Sequence, residues 1–268
     1  MPELPEVQTV VNALLRSVLD RPIRHIELNR RDVVHPAQCD LVARLNGRSI
    51  RSVGRRGKRI VFTLDDGERF FIHLGMSGRL TLQSTDEPLA PHTHLKLTFD
   101  GGVQLRFVDP RRFGGIWWLD AAAADGGNMG PEPLGLRTKS LARRLAKTRR
   151  VIKTALMDQT LIAGLGNIYA DESLFTARIH PLIPANELTI AQITDLSRAI
   201  KTVLRRALHH RGSTLRDYRN ADGSAGDFQR LHRVYGREGL PCLRCKTPIV
   251  RVVVGGRSTH FCPRCQSK

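Results

Sequence analysis

Four cysteines stand in two pairs near the end of the chain. Cys242-x2-Cys245 is followed, after sixteen residues, by Cys262-x2-Cys265. Two thiolate knuckles at this spacing match a tetrahedral zinc site, and four cysteine ligands leave no open coordination position, so the metal is structural. Between the pairs, Ile249–Val254, Gly255-Gly256 and Ser258–Phe261 read as a hairpin. The unit is therefore a zinc ribbon with Arg257 at its tip. Cys39 falls outside this pattern and reads as a small buried hydrophobe.

The second chemical signal is the start, Met1-Pro2-Glu3-Leu4-Pro5-Glu6. It suits a proline-initiated helix with acids at its positive end. It also suits catalysis. Removal of Met1, which a small second residue permits, would expose Pro2 as a secondary amine. Such an amine attacks an electrophilic sugar carbon and can go on only to a cationic iminium, an electron sink for eliminating the neighbouring phosphates. With a reference pKa of roughly 7.7–8.0, an α-amine is partly neutral at working pH. The helix end favours the neutral amine, and Glu3 and Glu6 oppose it.

Several elements must position these residues. Val7, Val10, Val11, Leu14, Leu15 and Val18 recur at helical spacing, predicting a helix over 6–19 with Pro5 in its first turn. Strand-like runs follow. Arg59–Leu64 and Glu68–Leu74 flank an Asp-Asp-Gly turn, His94–Phe99 and Val103–Val108 flank an Asp-Gly-Gly turn, and Gly115–Leu119 is a further strand. Short strands with glycine turns predict a β-sandwich or barrel. Residues 121–136 are small and Gly/Pro-rich, as in an interdomain hinge. Beyond them the pattern is helical. Thr189-x-x-Gln192 is a capping-box signature before an apolar face running to Leu208, with Gly212 as the C-terminal stop. Residues 213–228 are polar and turn-rich and read as a mobile loop.

The chain has 268 residues, 41% hydrophobic and 25% charged, enough for one large globular domain or two modest ones. Lys and Arg number 43 against 25 Asp and Glu, a net +18. That surplus predicts a polyanionic partner and salt-sensitive binding, and it argues against work on cationic or neutral small molecules. It is unevenly spread. Residues 1–126 hold 18 basic and 15 acidic side chains, a net +3, and residues 127–268 hold 25 and 10, a net +15. Residues 44–59 and 137–153 are basic runs without an acid. No apolar run is long enough for a membrane span, and the acidic, proline-broken start is no signal peptide, which predicts a cytosolic protein.

The ordered motifs carry a resemblance. They are Pro2-Glu-Leu-Pro-Glu-Val7, Gly54-Arg-Arg-Gly-Lys58, His73-Leu-Gly-Met-Ser-Gly78, Asp109-Pro-Arg-Arg-Phe-Gly114, Gly164-Leu-Gly-Asn-Ile-Tyr-Ala170 and the four-cysteine ribbon. From Pro2 to Cys265 the chain resembles the bacterial formamidopyrimidine-DNA glycosylase family. The related endonuclease VIII branch, which removes oxidised pyrimidines, normally begins Pro-Glu-Gly-Pro-Glu, so Leu4 favours the formamidopyrimidine branch.

The resemblance implies an α+β multidomain fold. Its parts are an N-terminal β-sandwich with flanking helices over 1–126, a hinge at 127–138, a helix–two-turns–helix domain over 139–228 and a zinc ribbon over 233–268. It implies a monomeric, cytoplasmic, nucleoid-associated glycosylase and AP lyase, holding one zinc ion and acting on double-stranded DNA with an oxidised purine or an abasic site. Pro2 would be the nucleophile at C1′ and Glu3 the acid/base group. Lys58 would be a phosphate contact and acid in β-elimination, and Arg257 a phosphate grip assigned to δ-elimination. Met76, Arg111 and Phe113 would fill the void left by a flipped nucleotide. His92, Asn167 and one or more of Arg149, Arg150 and Lys153 would contact phosphates. A non-enzymatic zinc-ribbon nucleic-acid binder is the competing class.

Overall fold

The computed structural model describes residues 1–119, 127–214 and 226–268. Leu4–Leu14 forms helix α1, with Pro5 in its first turn and Val7, Val10, Val11 and Leu14 buried. The helix is shorter than the 6–19 predicted. Past Leu14 the sheet competes for the backbone: Leu19 bridges to Ile50, and Asp20 takes a left-handed φ of 55°. Val18 stays fully buried, so the apolar spacing marked the right face but not the helix end.

The predicted hairpins form. In chain order come β1 (Ile23–Leu28), β2 (Val34–His35), helix α2 (Leu41–Leu45), β3 (Ile50–Arg56), β4 (Arg59–Leu64), β5 (Arg69–His73), β6 (Arg79–Ser84), β7 (Thr93–Phe99), β8 (Val103–Val108) and β9 (Gly115–Leu119). One sheet has the order β2-β9-β5-β4-β3 and the other β1-β7-β8-β6. Strand β2 runs parallel to β9, and the other neighbours are antiparallel. Period-2 alternation puts Ile60, Phe62 and Leu64 of β4 inside while Arg59, Val61 and Thr63 are partly exposed. These inward residues share one core with Leu95, Leu97 and Phe99 of β7, Leu105 and Phe107 of β8, and the apolar face of α1. Two sheets around one core, with a helix against it, make a β-sandwich. Each fully buried Phe or Leu contributes about 1.5–3 kcal/mol to it.

One cation of β8 is also buried, on the face of its sheet opposite the core. Arg106 is 2% exposed. Its guanidinium donates to Gln104 and Gln83 and to the carbonyls of Ser84, Glu87 and Pro88. It thereby pins the segment after β6, at whose far end His92 lies.

The helical part holds α3 (Thr138–Leu145), α4 (Ile152–Met157), α5 (Asn167–Ala177) and α6 (Ile190–His209). The capping box before α6 is present: Thr189 N donates to Gln192 Oε1 at 2.9 Å, and Gln192 N donates to Thr189 Oγ1 at 3.2 Å. Helix α5 is buried from Ile168 to Phe175, which takes Asp171 and Glu172 inside with it. The ribbon hairpin is β10 (Val250–Val254) and β11 (Arg257–Phe261), joined by Gly255 and Gly256, both at positive φ. Two left-handed residues in a two-residue hairpin loop are what glycine permits.

The chain divides into two compact units. One is Met1–Gly127 with His210–Asp227, and the other is Asn128–His209 with Phe228–Lys268. Residues 121–126 of the hinge-like run 121–136 lie outside the described residues, as do residues 215–225 of the predicted loop. No helix among the described residues is long and apolar enough to cross a membrane.

Candidate active site and phosphate contacts

Pro2, Glu3 and Lys58 all belong to the first unit. Pro2 is buried and Glu3 is 2% exposed, while Met1 is half exposed. Glu3 is the N-cap of α1 and forms a capping box with Glu6, whose Oε2 accepts from Glu3 N at 2.8 Å. Lys58, only 6% exposed, occupies the turn between β3 and β4 beside Gly57. The Arg55 side chain joins that turn to α1. Arg55 Nε donates to Gln8 Oε1 at 3.0 Å, and Arg55 Nη1 donates to the Gly57 carbonyl at 2.9 Å. The N-terminal helix and the Lys58 turn are thus one hydrogen-bonded assembly. The motif Gly-Arg-Arg-Gly-Lys showed its charge in sequence but not this tie.

Met76, Arg111 and Phe113 lie on two adjoining loops of the same unit. Met76 is 39% exposed and Phe113 is 56% exposed, so core packing does not explain either. The Arg111 guanidinium lies 4.8 Å from the Phe113 ring centroid, a cation–π contact. His92 is exposed at a φ of 64°. It lines a recess of about 420 Å³ with Arg30, His94 and Arg112, both arginines being paired with Asp32. His73, beside the Met76 loop, accepts from Gly75 N at Nδ1. Its pKa falls to about 4, first through burial and then through the charges of Lys58 and Arg59.

In the second unit the basic run 137–153 divides. Arg149 and Arg150 are exposed, and Arg150 pairs with Asp158 at 2.6 Å. Arg143, Arg144, Lys147 and Arg150 line a recess of about 350 Å³. Lys153 is a correction to the sequence reading. It is fully buried, its Nζ 2.5 Å from Asp171 Oδ1 and donating to the Asn167 carbonyl at 2.9 Å. A buried cation with a carboxylate partner is a structural ion pair, not a surface phosphate contact. Asn167 opens α5, after Gly166 as N-cap. Its Nδ2 donates to the Ser258 carbonyl at 2.8 Å, next to Arg257. Arg257 itself is exposed at the start of β11.

Asp171 carries this arrangement further. Its Oδ2 accepts from His260 N at 2.9 Å, so one carboxylate joins α4, α5 and β11. Glu172 accepts from the backbone N–H groups of Arg233, Val234 and Tyr235. Burial pushes its carboxyl up, against those three donors. Sequence reasoning passed over both acids because nothing local distinguishes a buried carboxylate from a surface one.

The four cysteines converge. Their sulfurs all lie within 4.8 Å of one another, with Cys245 and Cys262 at 3.4 Å and Cys242 and Cys265 at 4.0 Å. Four ligands at roughly 2.3 Å from a tetrahedral zinc stand about 3.8 Å apart, so this set fits the ion. Backbone N–H groups of Arg244 and Cys265 point to Cys242 and Cys262 sulfurs at 3.4 Å, as thiolates require. Burial and the neighbouring thiols push Cys265 up to about 12. A dication would reverse that balance, and the four cysteines fit one structural zinc ion.

Comparisons with known proteins agree along the whole chain. Residues 1–116 match the formamidopyrimidine-DNA glycosylase N-terminal domain, 129–219 that protein's H2TH domain, and 239–268 a zinc finger found in FPG and IleRS. The formamidopyrimidine-DNA glycosylase of Herpetosiphon aurantiacus is 44% identical over 273 residues, covering all of both chains. A Lactococcus lactis FPG variant in complex with a Fapy-dG containing DNA superposes with a TM-score of 0.94 at 37% identity, covering all of both chains. The Lactococcus lactis Fpg in complex with an abasic site containing DNA gives 0.93 at 38% identity, covering 99% of this chain and all of that one.

Proposed function

The chain belongs to the formamidopyrimidine-DNA glycosylase family, and on that premise we propose that it excises oxidised purines from double-stranded DNA and then cleaves the strand at the abasic site. What supports the reading most is the tie between Gln8, Arg55 and the Gly57–Lys58 turn, which joins a buried Pro2–Glu3 start to a buried lysine.

In this reading Met1 is removed and the Pro2 amine attacks C1′ of the flipped nucleotide. The C1′–N bond breaks and the base leaves with a proton. Glu3 assists proton transfer as the sugar ring opens and the Pro2–C1′ iminium forms. The iminium then accepts the electron pair from C2′–H cleavage as the 3′-phosphate leaves, with Lys58 at that phosphate. Loss of the 5′-phosphate follows, with Arg257 gripping it. Met76, Arg111 and Phe113 enter the vacated space. His92, Asn167, Arg149 and Arg150 serve the backbone, and the zinc ion supplies only the rigidity of the ribbon. Residues 1–126, the hinge 127–138, residues 139–228 and the ribbon 233–268 are the working parts of a monomer acting on the nucleoid in the cytoplasm.

Borohydride trapping with 8-oxoguanine·C duplex tests this. A covalent adduct on the N-terminal peptide, lacking Met1, is expected. An uncleaved N-terminal tag and Pro2→Gly are both expected to abolish trapping. Full trapping with a blocked N-terminus would rule out Pro2. Faster turnover of thymine-glycol duplex than of 8-oxoguanine duplex would move the substrate to oxidised pyrimidines.

A further inference from the structure

Asp109 is buried to 0% exposure, yet the chemistry above gives it no part. Its carboxylate accepts three hydrogen bonds. Ser77 Oγ donates to Oδ1 at 2.6 Å, Arg111 N to Oδ1 at 3.3 Å and Gly114 N to Oδ2 at 2.8 Å. Its own backbone is held too: Asp109 N donates to the His92 carbonyl at 3.1 Å, and His94 Nε2 lies 2.8 Å from the Asp109 carbonyl oxygen.

Each of those three donors adjoins one of the exposed prongs. Ser77 follows Met76, Arg111 donates through its own amide, and Gly114 follows Phe113. The two loops touch backbone to backbone. A Cβ on Gly75 would come within 2.4 Å of Gly114 N, and one on Gly114 within 2.5 Å of the His73 carbonyl oxygen. Little space separates them, so a shift of one loop is felt by the other. Hydrogen bonds to a charged acceptor are the stronger kind, and one buried acceptor shared by both loops fixes their relative position.

We propose that Asp109 is the positioning residue of the wedge. It presets Met76, Arg111 and Phe113 as one unit, so that all three enter the duplex together when a nucleotide leaves the stack. The inference rests on the functional reading above, in which these prongs fill the void. Ordering three side chains only upon binding would cost affinity for the flipped state, and presetting them removes that cost. Asp109 touches no reacting atom in this scheme.

The test compares a substrate that needs the wedge with one that does not. Single-turnover cleavage is measured on an 8-oxoguanine·C duplex and on a single-stranded oligonucleotide holding an abasic site. Asp109→Asn keeps the size but replaces one acceptor oxygen with a donor. It is expected to slow the duplex reaction by about tenfold or more, since small misplacements at a site have effects of that order. Single-strand cleavage is expected to stay within about twofold. Ser77→Ala, which removes only the Met76 tie, is expected to give a smaller loss, again confined to the duplex. A 2-aminopurine beside an abasic site in duplex DNA is expected to brighten less on saturation with either variant than with the parent protein. A parallel loss on both substrates, or no loss on the duplex, overturns the proposal. Should Asp109→Asn not fold, the same comparison on Ser77→Ala decides. Failure of the unmodified protein on both substrates would instead count against the functional reading.

Discussion

Glu6 Oε1 accepts from Ser213 N at 2.7 Å, across 207 residues of chain. The other oxygen of the same carboxylate accepts from Glu3 N. Helix α1 therefore carries an acid that caps its own start and also captures the segment after α6. Gly212 is shaped for this. It has a φ of 77°, and a Cβ there would meet Glu6 Oε1 at 2.6 Å.

Replacing Glu6 with Ala leaves two buried N–H donors, Glu3 N and Ser213 N, without this acceptor. Each unsatisfied buried donor costs about 1–3 kcal/mol, so Glu6→Ala is expected to lower unfolding free energy by about 2 kcal/mol or more. Urea titration reads that loss. Borohydride trapping at a temperature where the variant is still folded is expected to fall too, because the Pro2–Glu3 backbone has lost its anchor. Unchanged stability would mean that solvent replaces the carboxylate at both amides.

The buried Lys153–Asp171 pair is expected to respond asymmetrically. Lys153→Met strands Asp171, at 1% exposure, without its cation, although His260 N still donates to it. Breaking one side of such a pair costs about 3–5 kcal/mol, while removing both sides with apolar residues of similar volume is often neutral. Lys153→Met is therefore expected to melt the helical and ribbon unit early, and Lys153→Met with Asp171→Leu to recover part of that loss. Denaturation curves of the three proteins decide it. Equal damage in single and double variants would show that Asp171 matters through His260 rather than through Lys153.

These ties mark the limit of what sequence spacing reveals. The capping box of Thr189 and Gln192, the hairpins around Gly67 and Gly101, and the two cysteine knuckles were all legible, because the partners lie within a few residues or follow a fixed period. Lys153 was read as a surface cation because its partner Asp171 lies on the next helix, 18 residues on. Asp109 was visible only as the first letter of a motif, since its work is accepting hydrogen bonds from Ser77 and Gly114. The early end of α1 was hidden for a similar reason. Val18 keeps the helical spacing, but the bridge from Leu19 to Ile50 is a tertiary choice.

Zinc removal is expected to unfold the ribbon and leave the sandwich intact. Cys242 and Cys262 belong to a small apolar cluster with Phe175, Val234 and Ile249, too few residues to hold a hairpin alone. A strong chelator should release one zinc ion per chain, with loss of hydrogen-exchange protection across Val250–Val254 and Arg257–Phe261. Affinity for DNA should fall with it, since Asn167 is held to Ser258 of that hairpin. Protection that survives complete removal of zinc would show that the ribbon stands without the metal.

Acid is expected to weaken the fold well before the carboxylates titrate. His73 and His232 are both pulled down to about 4, first by burial. In the unfolded chain they return to about 6.5, so between 6.5 and 4 the unfolded state binds more protons. Stability is therefore full above about 6.5 and is lost as pH falls towards 4, each group contributing on the order of 3 kcal/mol. His73 has a structural stake in staying neutral, because its Nδ1 accepts from Gly75 N at the start of the Met76 loop. Protonation turns that acceptor into a donor facing a donor. Melting temperatures at pH 7.5, 5.5 and 4.5 are expected to fall steadily, and His73→Asn, which can still accept from Gly75 N but cannot titrate, is expected to flatten that fall. An equally steep loss in His73→Asn would assign the acid sensitivity to His232 or to the carboxylates.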